Sequence, residues 1–163
     1  MKGLDERFCA LPHKVGRRAR LAAARALIRA NPRASHGYML EAFAWGEHAG
    51  AVRSYTRFAA LERNSPSGWF LRAERRMALR DYRRAVPDLT RALALDKGYY
   101  RESAHLLRAA CFWQLGQFEE ALADCAKVTN ECWIHQVAGF ISLNRGMIVA
   151  AIERAGGRGP SLR

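Results

Sequence analysis

Apolar residues recur at steps of three and four along most of the chain, the spacing of one buried helix face. The pattern is clearest from Trp69 to Asp96, WFLRAERRMALRDYRRAVPDLTRALALD. Two helix-length runs flank a polar break at Arg80-Asp81, and the second carries Ala85, Leu89, Ala92 and Leu93 on one stripe. The design returns from Ser103 to Val128, SAHLLRAACFWQLGQFEEALADCAKV, with Gly116 at the break, Phe118 after it, and Ala121 and Cys125 on the second run. The same reading predicts helices over about 15–30, 35–48, 51–63, 67–79, 82–95, 101–115 and 118–128. A weaker last pair covers about 132–144 and 147–154. Ser35 and Ser65 or Ser67 are fair N-caps. Turns are expected near Gly50, Arg80-Asp81, Gly116 and Gly146. β-Branched residues are few and no strand-like alternation stands out. The expected class is therefore all-α, with antiparallel helix pairs in chain order.

This order of residues resembles the tetratricopeptide repeat, whose signature is aromatic, large apolar, small, aromatic, turn, Ala, aromatic and Pro. With Ala85 on the small position of the second helix, Trp69 falls on the opening aromatic, Ala73 on the first small position, Tyr82 on the aromatic after the turn and Leu89 on the later one. Arg76 departs from the signature. With Ala121 in the same place, Ala109, Phe112 and Cys125 follow. Upstream, Tyr38, Ala42, Trp45, Ser54, Phe58 and Pro66 keep the order, and Leu27 and Pro32 look like the end of a lone second helix. The resemblance implies about three and a half repeats in a helix-turn-helix solenoid, a right-handed superhelical stack of antiparallel helix pairs. One pair cannot bury both its inner faces, so neighbours stack. The repeat domain is expected over 15–155, after a lead of 1–14 and before a flexible tail of 156–163, the Gly- and Pro-containing GGRGPSLR.

The resemblance also implies a function. The family holds an extended peptide or amphipathic helix on the concave surface lined by the first helix of each pair. Carried over position by position, that surface includes Met39, Phe43, Phe70, Glu74, Met77, Leu106 and Trp113. Such a groove is apolar, aromatic and Met-containing, which suits a hydrophobic peptide or helix. The Lys, Asn and Arg set with which some members clamp a C-terminal carboxylate is missing from these positions. Helical stripes are also the ordinary pattern of core packing, so each position has a packing reading beside the binding one. The expected role is a protein-interaction adaptor.

Charge adds a second reading. Net charge is +12 with an isoelectric point near 10.4. From Arg7 up to Glu41 the charged residues are all bases, among them Arg17, Arg18, Arg25 and Arg29, which are expected on the solvent side of a helix that turns Leu21, Ala24, Leu27 and Ile28 inward. An anionic partner such as RNA or DNA would answer that charge. An arginine-rich composition, in which Arg serves as a soluble helix former, would explain it without one.

The remaining chemistry is sparse. Cys9, Cys111, Cys125 and Cys132 show no framework spacing, and neither Cys9 with His13 nor Cys125, Cys132 and His135 matches paired zinc ligands. No phosphate loop, nucleophile elbow or readable carboxylate pair occurs, so no enzyme, cofactor or metal is expected. Asp81 and Asp88 are expected to pair locally with Arg84 and Arg91. The segment LAAARALIRA is broken by Arg25 and Arg29, so it reads neither as a signal core nor as a membrane helix, and a cytoplasmic location is expected. Phe140, Ile141, Ile148 and Ile152 on the weak last pair, or the N-terminal helix, are expected to offer a dimer contact.

Overall fold

The computed structural model describes residues 16–46, 48–96, 98–129, 135–137 and 141–155. The lead over 1–14 and the tail over 156–163 lie outside the described residues. The chain divides into two compact units, Met1–Arg63 and Asn64–Arg163.

In the first unit, α1 (Arg17–Ala30) buries Leu21 and Ala24 and ends where the Asn31 N–H donates to Leu27 O, before Pro32. Helix α2 (Ser35–Trp45) packs on α1, and α3 (Ala49–Leu61) packs on α2. Ala34, not Ser35, is the N-cap of α2; the Ser35 hydroxyl donates to Glu62 Oε1 at 2.7 Å, joining the start of α2 to the end of α3. The turn falls at Gly46, whose φ of 61° is the left-handed conformation that glycine adopts without a Cβ clash. Gly50, expected at the turn, is instead buried in the first turn of α3. A Cβ there would lie 2.4 Å from the Trp45 ring, so only glycine seats that indole against α3. Tyr55 and Ala51 are fully buried between these helices.

The second unit begins with α4 (Pro66–Ala78), where Ser65 Oγ accepts from the Ser67 N–H and Pro66 takes the first helical position, which needs no N–H partner. Helices α5 (Tyr82–Leu95), α6 (Arg101–Gln114) and α7 (Phe118–Cys125) follow, each packed on the one before. The two turns inside the pairs are built alike. After α4 the Asp81 N–H donates to Arg76 O and the Arg80 N–H to Met77 O; after α6 the Gln117 N–H donates to Phe112 O and the Gly116 N–H to Trp113 O. Both are Schellman closures, which need a left-handed residue: Arg80 at φ 59° in the first, Gly116 at φ 77° in the second. Pro87 stands sixth in α5; it is exposed, and the helix continues past it to Leu95. At the contacts between helices Ala73, Ala85, Ala109 and Ala121 have no exposed surface, so the backbones meet closely as their small side chains allow.

The expected helix over Cys132–Asn144 is not what the described residues form. Strands β1 (His135–Val137) and β2 (Ile141–Leu143) pair antiparallel, with Val137 opposite Ile141 and His135 opposite Leu143. Gly139 costs a helix interior about 1 kcal/mol relative to Ala, and Val137 and Ile141 favour an extended backbone. Strand β1 lies against α4 and β2 against α6. Helix α8 (Arg145–Arg154) then packs on α6 and α7. Asn144 caps it by accepting from the Met147 N–H at 2.8 Å, so Gly146 lies inside the helix rather than at a turn.

Candidate functional site

The lining positions implied by the repeat fall on α2 in the first unit and on α4 and α6 in the second. On α2, Phe43 is 53% exposed and its ring meets Tyr55 edge-on at 6.3 Å between centroids, while Met39 is half-buried. Tyr55 lies beneath with no exposed surface, so Phe43 is a large apolar side chain held over a rigid base. In the second unit the outcome differs. Phe70, Glu74, Met77 and Leu106, expected to face a partner, are buried, and Trp113 is half-buried. Phe70 lies against Tyr100 with centroids 4.5 Å apart, and Tyr100 Oη donates to Ser67 Oγ at 3.2 Å. Phe70, Met77 and Leu106 belong to one core cluster with Leu143, Ile148 and Ile152. The physical reason is that Leu143 of β2 and Ile148 and Ile152 of α8 supply apolar surface on that side. Ile148 and Ile152, expected to offer a dimer contact, are consumed in the same cluster; Phe140 lies outside the described residues.

Charged groups form the most ordered polar geometry of the second unit. Arg72 Nε and Nη2 donate to Asp88 Oδ2 and Oδ1 at 2.8 and 2.6 Å, a bidentate pair between α4 and α5. Arg76 Nη1 adds a bond to Asp88 Oδ2 at 2.6 Å and another to Arg84 O at 2.9 Å. Burial lowers the Arg76 pKa, opposed by the Asp88 charge. The motif recurs between α6 and α7: Arg108 Nε and Nη2 donate to Asp124 Oδ2 and Oδ1 at 2.7 and 2.8 Å, and His105 Nδ1 lies 2.8 Å from Asp124 Oδ1. Asp88 and Asp124 are thus buried clamps between paired helices, and Asp88 does not pair with Arg84 or Arg91 as expected. Asp81 does meet Arg84, at 3.5 Å on the surface. Local sequence spacing missed the clamps. The signal was present, since Arg72 and Asp88 return as Arg108 and Asp124 at the same interval as Ala73 and Ala109.

Cys111 and Cys125 are buried free thiols. Burial pushes their pKa values up to about 12 and about 11, with Arg145 opposing the rise at Cys125. Both stay protonated at neutral pH, which makes them packing groups rather than nucleophiles. Among the described residues no three His, Cys, Asp or Glu converge as a metal site.

In the first unit the four arginines singled out by charge, Arg17, Arg18, Arg25 and Arg29, are all exposed on α1. They are less isolated than the acid-free sequence implies. Arg25 Nε donates to Glu41 Oε1 at 3.1 Å and its guanidinium lies 5.9 Å from the Trp45 ring centroid, and Arg17 reaches His48. The charge offset at Arg25 comes from Glu41 on α2, the next helix, rather than from the same helix. Beside Arg25, Glu41 and Trp45, a hollow of about 220 Å³ opens toward Arg53, Ser54 and Arg57 of α3. A larger hollow of about 340 Å³ in the second unit lies at the α4–α5 turn, between Arg80, Tyr82, Arg83 and Leu115. Burial raises the Tyr82 pKa there.

Solved structures share this architecture. Two, titled "Crystal structure of MamA" and "Crystal structure of MamA protein", each superpose on 66% of this chain with a TM-score of 0.60 at 17% identity. The fold is a tetratricopeptide-type helical repeat. The matched region spans 64% and 60% of those two chains, so the likeness is one of fold over part of their length. No family model matches the sequence, and no curated protein sequence matches it. No described helix is long and apolar enough to cross a membrane.

Proposed function

We propose that the protein is a non-enzymatic interaction scaffold that holds a partner protein as a peptide or amphipathic helix against the first helices of its repeats. The observation that carries this reading is Phe43, a large aromatic left half in water on α2 with Tyr55 packed rigidly behind it. Exposed aromatics on a firm base are the side chains around which peptide interfaces concentrate their binding energy. Met39, one helical turn earlier, supplies an adaptable neighbour. Trp113 is the half-buried counterpart on α6 in the second unit. Phe70, Glu74, Met77 and Leu106 act in this reading as the packing that supports α4 and α6.

The test selects amphipathic-helix peptides from a display library on the full chain, then measures their anisotropy with the parent and with Phe43→Ser. The scaffold reading expects a weakening of about 30-fold, the equivalent of about 2 kcal/mol for a central aromatic. Circular dichroism should be unchanged, since the side chain is largely in solvent. Peptides that bind the variant as tightly as the parent would place the interaction elsewhere, and a selection yielding no binder would remove the reading.

A further inference from the structure

We propose that the hollow between α1, α2 and α3 is a binding site for the phosphodiester backbone of a nucleic acid. It is independent of the peptide-binding reading, because it uses the arginines of α1 and α3 and neither Phe43 nor Met39.

The first unit carries the charge for it. Between residues 16 and 63 the sequence has nine arginines and three glutamates. Glu41, the acid at the hollow, is already engaged on both oxygens, by Arg25 on Oε1 and by the Ser54 hydroxyl on Oε2 at 2.8 Å. It therefore cannot neutralise the other bank. On that bank Arg53 and Arg57 stand one turn apart on α3, both exposed and both without an acid partner among the described residues. Like charges at this spacing repel by a few tenths of a kcal/mol, which a bound anion would reverse.

The shape of the charge decides what kind of anion. Arg25 is not alone on its own bank. Arg18 and Arg29 lie seven residues before and four after it, so helical periodicity puts all three within about 40° of one another around α1 and along about 16 Å of its axis. A single carboxylate would meet one or two of these guanidiniums. A continuous row of phosphates, one negative charge per nucleotide, can meet arginines on the two helices that border the hollow, α1 and α3. The planar guanidinium fork also matches phosphate oxygens in pairs. Contacts of this type recognise the backbone and not the base sequence.

The experiment titrates a labelled oligouridine and a DNA duplex of equal length with the full chain between about 50 and 200 mM salt. Three proteins are compared: the parent, Arg53→Gln/Arg57→Gln, and a charge-matched control, Arg83→Gln/Arg91→Gln, whose exposed arginines lie on α5 in the second unit. The parent is expected to bind at low salt, with affinity falling steeply as salt rises. The hollow variant should bind at least tenfold more weakly, with a log–log salt slope shallower by about 1.4, two contacts at about 0.7 each for a single strand. The control should stay within about twofold of the parent, and Glu41→Gln should bind as tightly as the parent or tighter. Binding of oligouridine alone, or of both probes, supports the proposal and tells a single strand from phosphodiester in general. No binding at low salt overturns it. So does an equal loss in the control, which would mean net charge alone, or displacement of RNA by polyglutamate at equal charge, which would mean an acidic protein segment.

Discussion

Replacing Asp88 by asparagine tests whether the buried clamp determines the stability of the second unit. The carboxylate is 3% exposed, and Arg72 and Arg76 around it are 10% and 17% exposed. Asparagine keeps the shape but puts an NH2 donor where one of the guanidinium donors now finds an oxygen. The carboxylate charge is then lost from between the guanidiniums of Arg72 and Arg76, which repel each other. Removing one partner of a buried pair costs about 3–5 kcal/mol, because the other stays desolvated and unpaired. That is a large part of the net stability of a small domain, about 5–15 kcal/mol. With a urea m-value of about 2 kcal/mol/M, the midpoint should fall by about 1.5–2.5 M. Urea unfolding is followed by tryptophan fluorescence and far-ultraviolet circular dichroism together, so that one midpoint can be compared across variants. Asp81→Asn is the internal reference. Its pair with Arg84 is 3.5 Å long with the side chains 34% and 76% exposed, and its loss should move stability by less than about 1 kcal/mol. The apolar replacement Asp88→Leu with Arg72→Met and Arg76→Met should recover most of the loss, since it buries no charge at all. An Asp88→Asn protein within about 1 kcal/mol of the parent would refute the reasoning, as would a triple variant no more stable than the single one.

Other predictions follow from the turns and the thiols. Arg80→Gly should stabilise the protein by about 1 kcal/mol, because a non-glycine residue pays about 1–2 kcal/mol at a left-handed position, and Gly116→Ala should destabilise it by a similar amount; equal melting temperatures would refute both. Cys111 and Cys125 should resist iodoacetamide at neutral pH until urea unfolds the chain, as peptide mass spectrometry would reveal; modification of the native protein would contradict their burial. Their raised pKa values mean that the folded state holds its thiol protons above the unfolded value of about 9. The stability they contribute is complete below pH 9 and is lost as pH rises from 9 toward 12 for Cys111 and 11 for Cys125. Within that window each thiol should steepen the fall by about 1.4 kcal/mol per pH unit, so Cys111→Ala should flatten the profile by that amount. A parent and variant with parallel profiles from pH 9 to 10.5 would refute this.

The helices were legible because burial imposes a period that survives changes of residue. Ala85 and Ala121 could be placed from spacing, and Ala73 and Ala109 from the resemblance to the repeat, and each is fully buried at a helix contact. Turn positions were legible where a left-handed residue closes a Schellman motif, as at Arg80 and Gly116. They were misread where glycine serves another purpose, since Gly50 makes room for the Trp45 ring and Gly146 follows the Asn144 cap. The hairpin at His135–Leu143 was missed because three-residue strands are too short for a period to show, and the composition around Gly139 was the only warning. The ion pairs failed for a different reason. A helical wheel sees neighbours three and four residues away, so it assigned Asp88 to Arg84 and Arg91, while the geometry joins it to Arg72 and Arg76 on the preceding helix. The repeat itself carries that information. Where two copies of a unit superpose in sequence, a charged pair that recurs with the small core residues is under the same geometric constraint as they are. Arg72 with Asp88, and Arg108 with Asp124, recur in step with Ala73 and Ala109. Arg25 with Glu41 in the first unit keeps the same separation between its partners. There Glu41 also takes Ser54, while Arg53 and Arg57 have no acid partner among the described residues, which is why this clamp borders the anion site we propose.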